Sequence, residues 1–387
     1  MLPLSCWGCR MNEPQKLIVM IDAAGRILSS EESIKRHNTY AQELSYKSGS
    51  MYKLLILSPR MNDTKIKFFS QTEFELIQMP VSRNNLLGLV YYAYKSLRAK
   101  QIVGFICGDP WESYWISFWL KKIMFKNSKI QLQLHGDFAS NLWSSTSLKL
   151  KIRQKIIKLN SKSINSLRFT SETQQLNILK QFRVNTENQV VIPVPLNIPS
   201  EIISRQKLEQ MKIGFVGRLH LERGLDTFVQ FAEVVHTKYT NAQFEIIGDG
   251  NHGDWLKSQL RKRIPERNLN FRSHLAGREY FRALGELNLL CSFAPSESYG
   301  RVAREALALG TPVLAVHSAG MDELAQILPL GTIHFLPYVL ENQSVIEAFE
   351  SSISAKIPAN LLIDFKNSNQ KVISDLIESW IDMVKSE

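Results

Sequence analysis

At 387 residues, with 44% apolar and 10% aromatic side chains, the chain has the composition of an ordinary folded protein and exceeds the size at which one hydrophobic core keeps growing. Two domains are therefore expected. Lys and Arg outnumber Asp and Glu by 47 to 36, a formal charge of +11, which favours an anionic partner: nucleic acid, an acidic membrane face or a phosphate-bearing substrate. Neither end carries eighteen consecutive apolar residues, and Met1 to Lys16, with Arg10 and Glu13 among polar residues, lacks the apolar stretch of a secretory signal; no spanning helix and a cytoplasmic location are expected.

The four cysteines lie at 6, 9, 107 and 291. Cys6 and Cys9 form a CxxC without the second pair that a zinc ribbon needs, so they are read as reduced thiols.

In chain order, Lys16 to Asp22 is a short apolar run. A polar, helix-like stretch follows to about Lys47, and a second apolar run spans Tyr52 to Leu57. Strand, helix, strand is the signature of a parallel sheet. The alternation returns at Phe74 to Met79, Gln101 to Cys107, Ile130 to His135, Ser166 to Thr170 and Val190 to Val194. Between Leu196 and Gln210 the chain turns polar, as a linker does. It then repeats the pattern with strands at Ile213 to Val216, Phe244 to Ile247, Leu269 to Arg272, Leu287 to Phe293, Val313 to Val316 and Thr332 to Leu336. Helices are expected near Gly224 to Lys238, Gly253 to Arg263 and Arg301 to Leu309, the last stopped by Gly310 and Pro312. An amphipathic helix fills Asp364 to Lys385.

The expected organisation is a tail at 1–15, a first domain at 16–197, a linker at 198–210, a second domain at 211–363 and a terminal helix at 364–387. Two doubly wound α/β domains in tandem place the carboxyl ends of two parallel sheets across a cleft, where ligands of such sheets bind.

The segment Glu297-Ser-Tyr-Gly-Arg-Val-Ala-Arg-Glu305 places two glutamates eight apart around a helix N-terminus. Free amides near Tyr299 to Val302 suit a diphosphate, and Glu305 lies roughly 7 Å further along the axis at 1.5 Å per residue. One carboxylate can thus meet hydroxyls on each side of a bound phosphate, as the ribose and sugar of a nucleotide sugar require. The cations that such a ligand needs are at hand in Gly217-Arg218-Leu219 and Glu222-Arg223-Gly224, where guanidinium forks can hold phosphate oxygens.

With Ile247-Gly-Asp-Gly250, Ala294-Pro-Ser-Glu297, Gly310-Thr-Pro-Val313 and Ala319-Gly-Met-Asp-Glu323 in the same order, the second half resembles the retaining glycosyltransferase family 4, a GT-B group also called group 1 glycosyl transferases. The resemblance implies a GT-B fold with the terminal helix near the domain junction. It implies a metal-independent hexosyltransferase, without cofactor, moving sugar with retention from a nucleotide-diphosphate donor to a hydroxyl of a glycan or lipid-linked acceptor, as in polysaccharide biosynthesis. By it, Arg218 and Arg223 hold the diphosphate, Glu305 the ribose and Glu297 the transferred sugar, with amides at Tyr299 and Gly300 on sugar and phosphate. Arg223 stands where lysine is usual. In the first domain, Leu134-His135-Gly136-Asp137 resembles the family's histidine turn, which puts His135 beside Glu297 among the catalytic candidates. Thr170-Ser171-Glu172 resembles its serine-glutamate turn and is read mainly as a helix cap. The glycine-rich turn after the first strand is reduced to Ala23-Ala24-Gly25. Loops between Gly250 and Arg278 are expected to contact the base.

From Ser113 to Ser171 the only acid is Asp137, against eleven Lys and Arg. Trp111, Trp115, Phe118 and Trp119 on one expected helix, and Leu148 to Leu159 on another, border these lysines. Peripheral docking on anionic lipid at the inner membrane face and an ordinary core with solvated lysines are both open readings. A basic membrane- or nucleic-acid-binding protein, or an inactive nucleotide-sugar sensor, is the alternative; nucleic-acid binding explains the charge but not the paired glutamates, so no nucleic acid is expected.

Overall fold

The computed structural model describes residues 15–25, 27–29, 31–59, 72–82, 84–136, 138, 163–182, 188–196, 198 and 210–386. The Cys6–Cys9 pair, Asp137, the lysine-rich stretch from 148 to 162 and most of the linker lie outside the described residues.

The first half forms a seven-stranded, wholly parallel sheet: β1 (Lys16–Ile21), β2 (Tyr52–Pro59), β3 (Glu75–Met79), β4 (Ile102–Cys107), β5 (Lys129–Gln133), β6 (Ser166–Phe169) and β7 (Asn188–Val191), in the order β3-β2-β1-β4-β5-β6-β7. The order reverses at β1, a doubly wound topology whose switch point lies between β1 and β4. Helices α1 (Glu31–Lys47), α2 (Leu86–Leu97), α3 (Glu112–Ile123) and α4 (Glu172–Phe182) cross over between strands. Near-continuous apolar strands such as Ile18, Val19, Leu54 to Leu57 and Phe105 are buried, as a sheet covered on both faces demands.

The second half repeats the plan in six parallel strands, β8 (Lys212–Val216), β9 (Gln243–Ile247), β10 (Leu269–Arg272), β11 (Leu289–Ser292), β12 (Val313–Ala315) and β13 (Ile333–Phe335), ordered β10-β9-β8-β11-β12-β13. Its helices are α5 (Leu225–Lys238), α6 (Gly253–Arg261), α7 (Gly277–Gly285), α8 (Arg301–Ala308), α9 (Ala319–Ile327) and α10 (Asn342–Ile353). The stop expected after α8 is a Schellman turn: Thr311 N–H donates to Ala306 O at 2.9 Å, Gly310 N–H donates to Leu307 O at 2.9 Å, and Gly310 takes a φ of 77°.

Most strands are shorter than the apolar runs suggest, and three of them show why or by how much. β7 ends at Val191; Ile192 N still donates to Phe169 O at 2.9 Å, while the carbonyls of Ile192 (3.0 Å) and Pro193 (2.5 Å) accept from the Arg168 guanidinium. β5 ends at Gln133, beyond which Gln174 Nε2 binds Leu134 O and Gly136 O. Within the expected run from Leu287 to Phe293, β11 pairs only over Leu289–Ser292.

The terminal helix α11 (Leu361–Lys385) begins three residues earlier than expected and crosses from one half to the other. Leu361 lies in the core of the second domain beside Phe365, whereas Leu376, Ile377, Trp380, Ile381 and Met383 lie in that of the first. It packs on α1, β4, β5 and α8. β4 lies so close that a Cβ on Gly104 would come within 2.7 Å of Val384. Two further contacts join the halves: α9 packs on α4, where Thr173 N–H donates to Glu323 Oε2 at 3.1 Å, and Ser298 Oγ donates to His135 O at 2.9 Å.

Because Trp380 is fully buried, Trp380→Ala is expected to destabilise the first domain by about 3–5 kcal/mol. Urea unfolding followed by circular dichroism reads this directly.

Candidate active site

The side chains of the expected donor site are carried on the loops after β8 and β11 in the second sheet and on α8, which follows β11. After β8 the chain turns through Gly217 and Arg218 into a single 3-10 turn, Leu221–Arg223, closed by Gly224 at φ 75°. At Gly248, after β9, a Cβ would overlap Gly217 O, so the two strand ends approach as closely as only glycine permits. The 3-10 turn delivers Arg223 to the N-terminus of α8, where its Nη1 lies 3.1 Å from Glu297 Oε2.

Glu297 serves two partners at once. Oε2 meets Arg223, while Oε1 accepts from Gly300 N at 3.0 Å and, at longer range, from Tyr299 N at 3.4 Å. The carboxylate therefore binds the two amides that immediately precede α8, where a negative charge is favoured by the helix dipole. Gly300 turns the chain into the helix there with its φ of 75°. Two of the amides that the sequence offers to a diphosphate are thus held by the chain's own carboxylate, and a space of only about 20 Å³ remains between Arg223, Glu297 and Gly300.

Glu305 lies further along α8 and is buried. Its Oε2 accepts a 2.6 Å hydrogen bond from Tyr280 Oη of α7, and Oε1 is 3.6 Å from Arg301 Nε. Burial raises its pKa, against the opposing pull of Arg301 and the Tyr280 hydroxyl. Burial and the Glu305 charge together push the Tyr280 phenol well above its ordinary value. Arg218 stands apart: its side chain is 67% exposed at the rim and pairs with Glu222 at 3.1 Å.

From the first domain, the His135 turn reaches the same loop through the Ser298 contact. Gln174 fixes that turn by binding the carbonyls on either side of His135, and Gln174 is itself set by α4, whose first turn is capped by Ser171 Oγ on Gln174 N at 3.2 Å. The Thr170-Ser171-Glu172 segment is accordingly a helix cap. His135 is exposed to a cavity of about 660 Å³. The protein atoms crowded around that cavity, with the positive charges of Arg168 and Arg36, lower its pKa from the ordinary value, so the imidazole is neutral at physiological pH.

Residues 200–327 match the family model for glycosyl transferases group 1. This match covers most of the second domain. Among curated proteins, the poly(ribitol-phosphate) alpha-N-acetylglucosaminyltransferase of Staphylococcus aureus (strain COL) is 22% identical over 320 residues, covering 81% of this chain and 61% of that protein. The glycogen synthase of Mycobacterium tuberculosis is 30% identical over 109 residues, 28% of this chain and 26% of its own length. The chain thus spans about three-fifths, or less, of these relatives. Anabaena Alr3699/HepE, solved in complex with UDP-glucose, superposes with a TM-score of 0.68 at 15% identity over 95% of this chain and 99% of its own. Sucrose-phosphate synthase from Thermosynechococcus elongatus gives 0.69 at 14% identity, over 96% of each chain. The fold is GT-B, as the tandem α/β pattern and its motifs implied.

The second domain also holds residues that the motif reading passed over. Arg304, inside the two-glutamate segment, is buried and stacks on the Tyr299 ring at 4.0 Å, and its Nη1 has no hydrogen-bond partner among the described residues. Tyr280 precedes the segment by one helix; nothing in its local sequence marks it, since only the packing of α7 on α8 brings it to Glu305. A second space of about 180 Å³, lined by Gly248, Asp249, Gly250, Lys257, Arg272 and Ser273 among others, lies in the region where base contacts were expected. Its wall is tied by Asp249 Oδ2, which accepts from His274 N at 2.9 Å.

Because the Glu305 pKa is raised, the folded protein holds that proton more tightly than the unfolded chain does, and ionisation works against the fold as pH rises through the folded value. Glu305→Gln is expected to raise the melting temperature at neutral pH. The advantage should fade in acid, once both states are protonated, and melting curves across pH for the two proteins check both statements.

Proposed function

We propose that the chain transfers a sugar from a nucleotide-diphosphate sugar to a hydroxyl of an acceptor, with retention of configuration and without a metal. The observation that carries this reading is Glu297, held by Arg223 and the N-terminus of α8 directly beside the His135 turn. A site that already stabilises one anion at a helix N-terminus and a guanidinium is chemically suited to another, the donor diphosphate.

In this reading the incoming diphosphate takes Arg223 and the α8 amides from Glu297. The freed carboxylate then turns to the hydroxyls of the sugar to be transferred. Arg218, exposed at the rim, swings from Glu222 onto the phosphates, and Glu305 accepts from the ribose hydroxyls. Charge that builds on the leaving diphosphate meets Arg218, Arg223 and the helix dipole, an electrostatic stabilisation that needs no protein base. With the imidazole of His135 neutral, it orients rather than repels cationic character at the reacting carbon, and the leaving phosphate receives the acceptor proton on the face of departure. Support for a nucleotide-sugar donor and a polymer or glycan acceptor also comes from the similarity to the Staphylococcus aureus transferase, whose name specifies poly(ribitol-phosphate), and to the Anabaena protein solved with UDP-glucose.

The screen that tests this reading is thermal shift with UDP, GDP, ADP and CDP and their sugars, because a ligand bound only by the folded state raises its stability. One nucleotide series is expected to stabilise the protein. Arg223→Ala removes charge-assisted hydrogen bonds of roughly 1.5–3 kcal/mol and should weaken that nucleotide about tenfold to a hundredfold. Glu297→Gln removes the internal competitor instead, so it should bind the bare nucleotide at least as well as wild type while losing transfer. No shift with any nucleotide, or a loss of nucleotide binding in Glu297→Gln, would overturn the reading.

A membrane-borne acceptor fits the outer face of the first domain. On the neighbouring helices α2 and α3, Leu87 and Tyr91 share one exposed face and Trp119 and Ile123 another, and Lys122 Nζ lies 5.4 Å from the Trp119 ring centroid. Aromatic and aliphatic side chains with adjacent lysines suit the interface of an anionic bilayer, and among the described residues no helix is long and apolar enough to cross one. In flotation assays the protein is expected to rise with vesicles containing phosphatidylglycerol and not with pure phosphatidylcholine, and Trp119→Glu should abolish the difference; binding that ignores lipid charge would sink the idea.

A further inference from the structure

The 660 Å³ cavity beside His135 reaches well beyond that residue, and its charges are unevenly matched. The ends of β1, β4, β5 and β6 line it together with α1 and α11, and its polar wall includes Arg36, His135, Arg168 and Trp380. Arg168 is only 3% exposed, and its guanidinium binds neutral oxygens alone: Ile192 O at 3.0 Å, Gln133 Oε1 at 3.1 Å and Pro193 O at 2.5 Å. Arg36 binds Ser33 Oγ at 3.3 Å. Neither arginine forms an ion pair with a described residue. The two are close enough for Arg36 to count among the causes that lower the proton affinity of Arg168, after burial, and both act on His135.

The carboxylates in the same wall are engaged by the fold. Asp22 Oδ2 accepts from Ile27 N at 2.8 Å and Ser58 Oγ at 3.3 Å. Asp109 Oδ1 caps α3, accepting from Trp111 N at 2.9 Å and Ser113 N at 3.3 Å, and burial raises its pKa. Glu112, in the first turn of α3, and Arg301, paired with Glu305, complete the charged lining. A fourth polar group is unspent: Trp380 Nε1 is buried and has no partner among the described residues. A buried cation without a counter-ion and a buried donor without an acceptor both carry a free-energy cost, and a ligand rich in anionic oxygens removes both.

We infer that the acceptor bears a phosphate group, held in this cavity by Arg36, Arg168 and Trp380 Nε1 so that a hydroxyl of the same molecule lies beside His135. The volume leaves room for a phosphorylated sugar or polyol unit around the phosphate, and Arg168, fixed by three bonds, provides a rigid fork rather than a mobile tether. This inference rests on the transferase reading, but its binding step can be measured apart from the donor.

Isothermal titration of the whole chain with glycerol 3-phosphate, glycerol and inorganic phosphate is the test, run with and without the nucleotide that the thermal screen selects. Glycerol 3-phosphate is expected to bind whether or not the donor site is filled, and glycerol is expected not to bind. Arg36→Gln should weaken glycerol 3-phosphate by roughly tenfold or more, as loss of a charge-assisted contact predicts, with nucleotide affinity unchanged. Arg168→Gln also loses bonds that shape the end of β7, so its fold is verified by circular dichroism before its binding is compared; Arg36→Gln carries the test alone if Arg168→Gln does not fold. The inference is overturned by competition between glycerol 3-phosphate and nucleotide, which would assign the anion to the donor site. It is overturned equally by wild-type affinity in Arg36→Gln, by equal affinity for inorganic phosphate, or by no binding at all. If no nucleotide binds, the transferase reading fails, and the titration without nucleotide still reports on the cavity.

Discussion

A single carboxylate, held between a guanidinium and a helix N-terminus, organises the junction of the two domains. Glu297 meets Arg223 where the 3-10 turn after β8 ends at Gly224, and it takes the amides just before α8 where Gly300 adopts a left-handed conformation. Its backbone carbonyl in turn accepts from Gly320 N at 2.8 Å, which sets α9. From α9, Glu323 reaches Thr173 on α4, and α4 carries Gln174, which holds the His135 turn. Ser298, the residue after Glu297, meets that turn directly. Two routes thus run from one carboxylate to the same histidine, and an error at either would displace the two halves of the site relative to each other.

The strand positions and the α/β class were largely legible in the chain because parallel strands buried on both faces read as short apolar runs between helical spacers. Pattern could not show where each strand stops pairing. An apolar residue after a strand reads the same whether or not it pairs; the carbonyls of Ile192 and Pro193 go to Arg168, which lies on the preceding strand. The residues that gather around the start of α8 were legible as a cluster because their chemistry is local: a glycine turn with arginines, and two glutamates set around a helix start. The closed state of that site was not, since a sequence cannot tell whether helix amides face solvent or the chain's own Glu297. Tyr280, Arg304 and Trp380 were invisible as site residues for the same reason. Each looks like an ordinary packing residue until α7, α8 and α11 are placed together.

The two domains treat charge differently. In the second, each arginine of the expected donor site has a glutamate within reach, Arg218 with Glu222 and Arg223 with Glu297, so the site is neutralised by pairs that a ligand can exchange. In the first, Arg36 and Arg168 face a cavity without such pairing. Exchangeable pairs suit a ligand that must enter and leave as the reaction proceeds, because the charge left behind is compensated at every stage. An unpaired, rigidly bonded cation binds more selectively, since only an anion satisfies it.

Helix α11 ties these two electrostatic regimes into one mechanical unit. It begins in the second core at Leu361 and ends in the first at Trp380 and Met383, close against the glycine of β4. Any rotation that opens or closes the cleft must therefore bend this helix or slide one of its ends, and the buried apolar surface at both ends resists sliding. The deformation falls on its middle, between Phe365 and Val372, where Lys366 to Lys371 are polar and largely outside both cores. Trp380 lies on the first-domain side of that segment and lines the cavity with Arg36 and Arg168, while Arg301 of α8 brings the second domain into the same lining, so the helix that couples the two cores also couples the two sites.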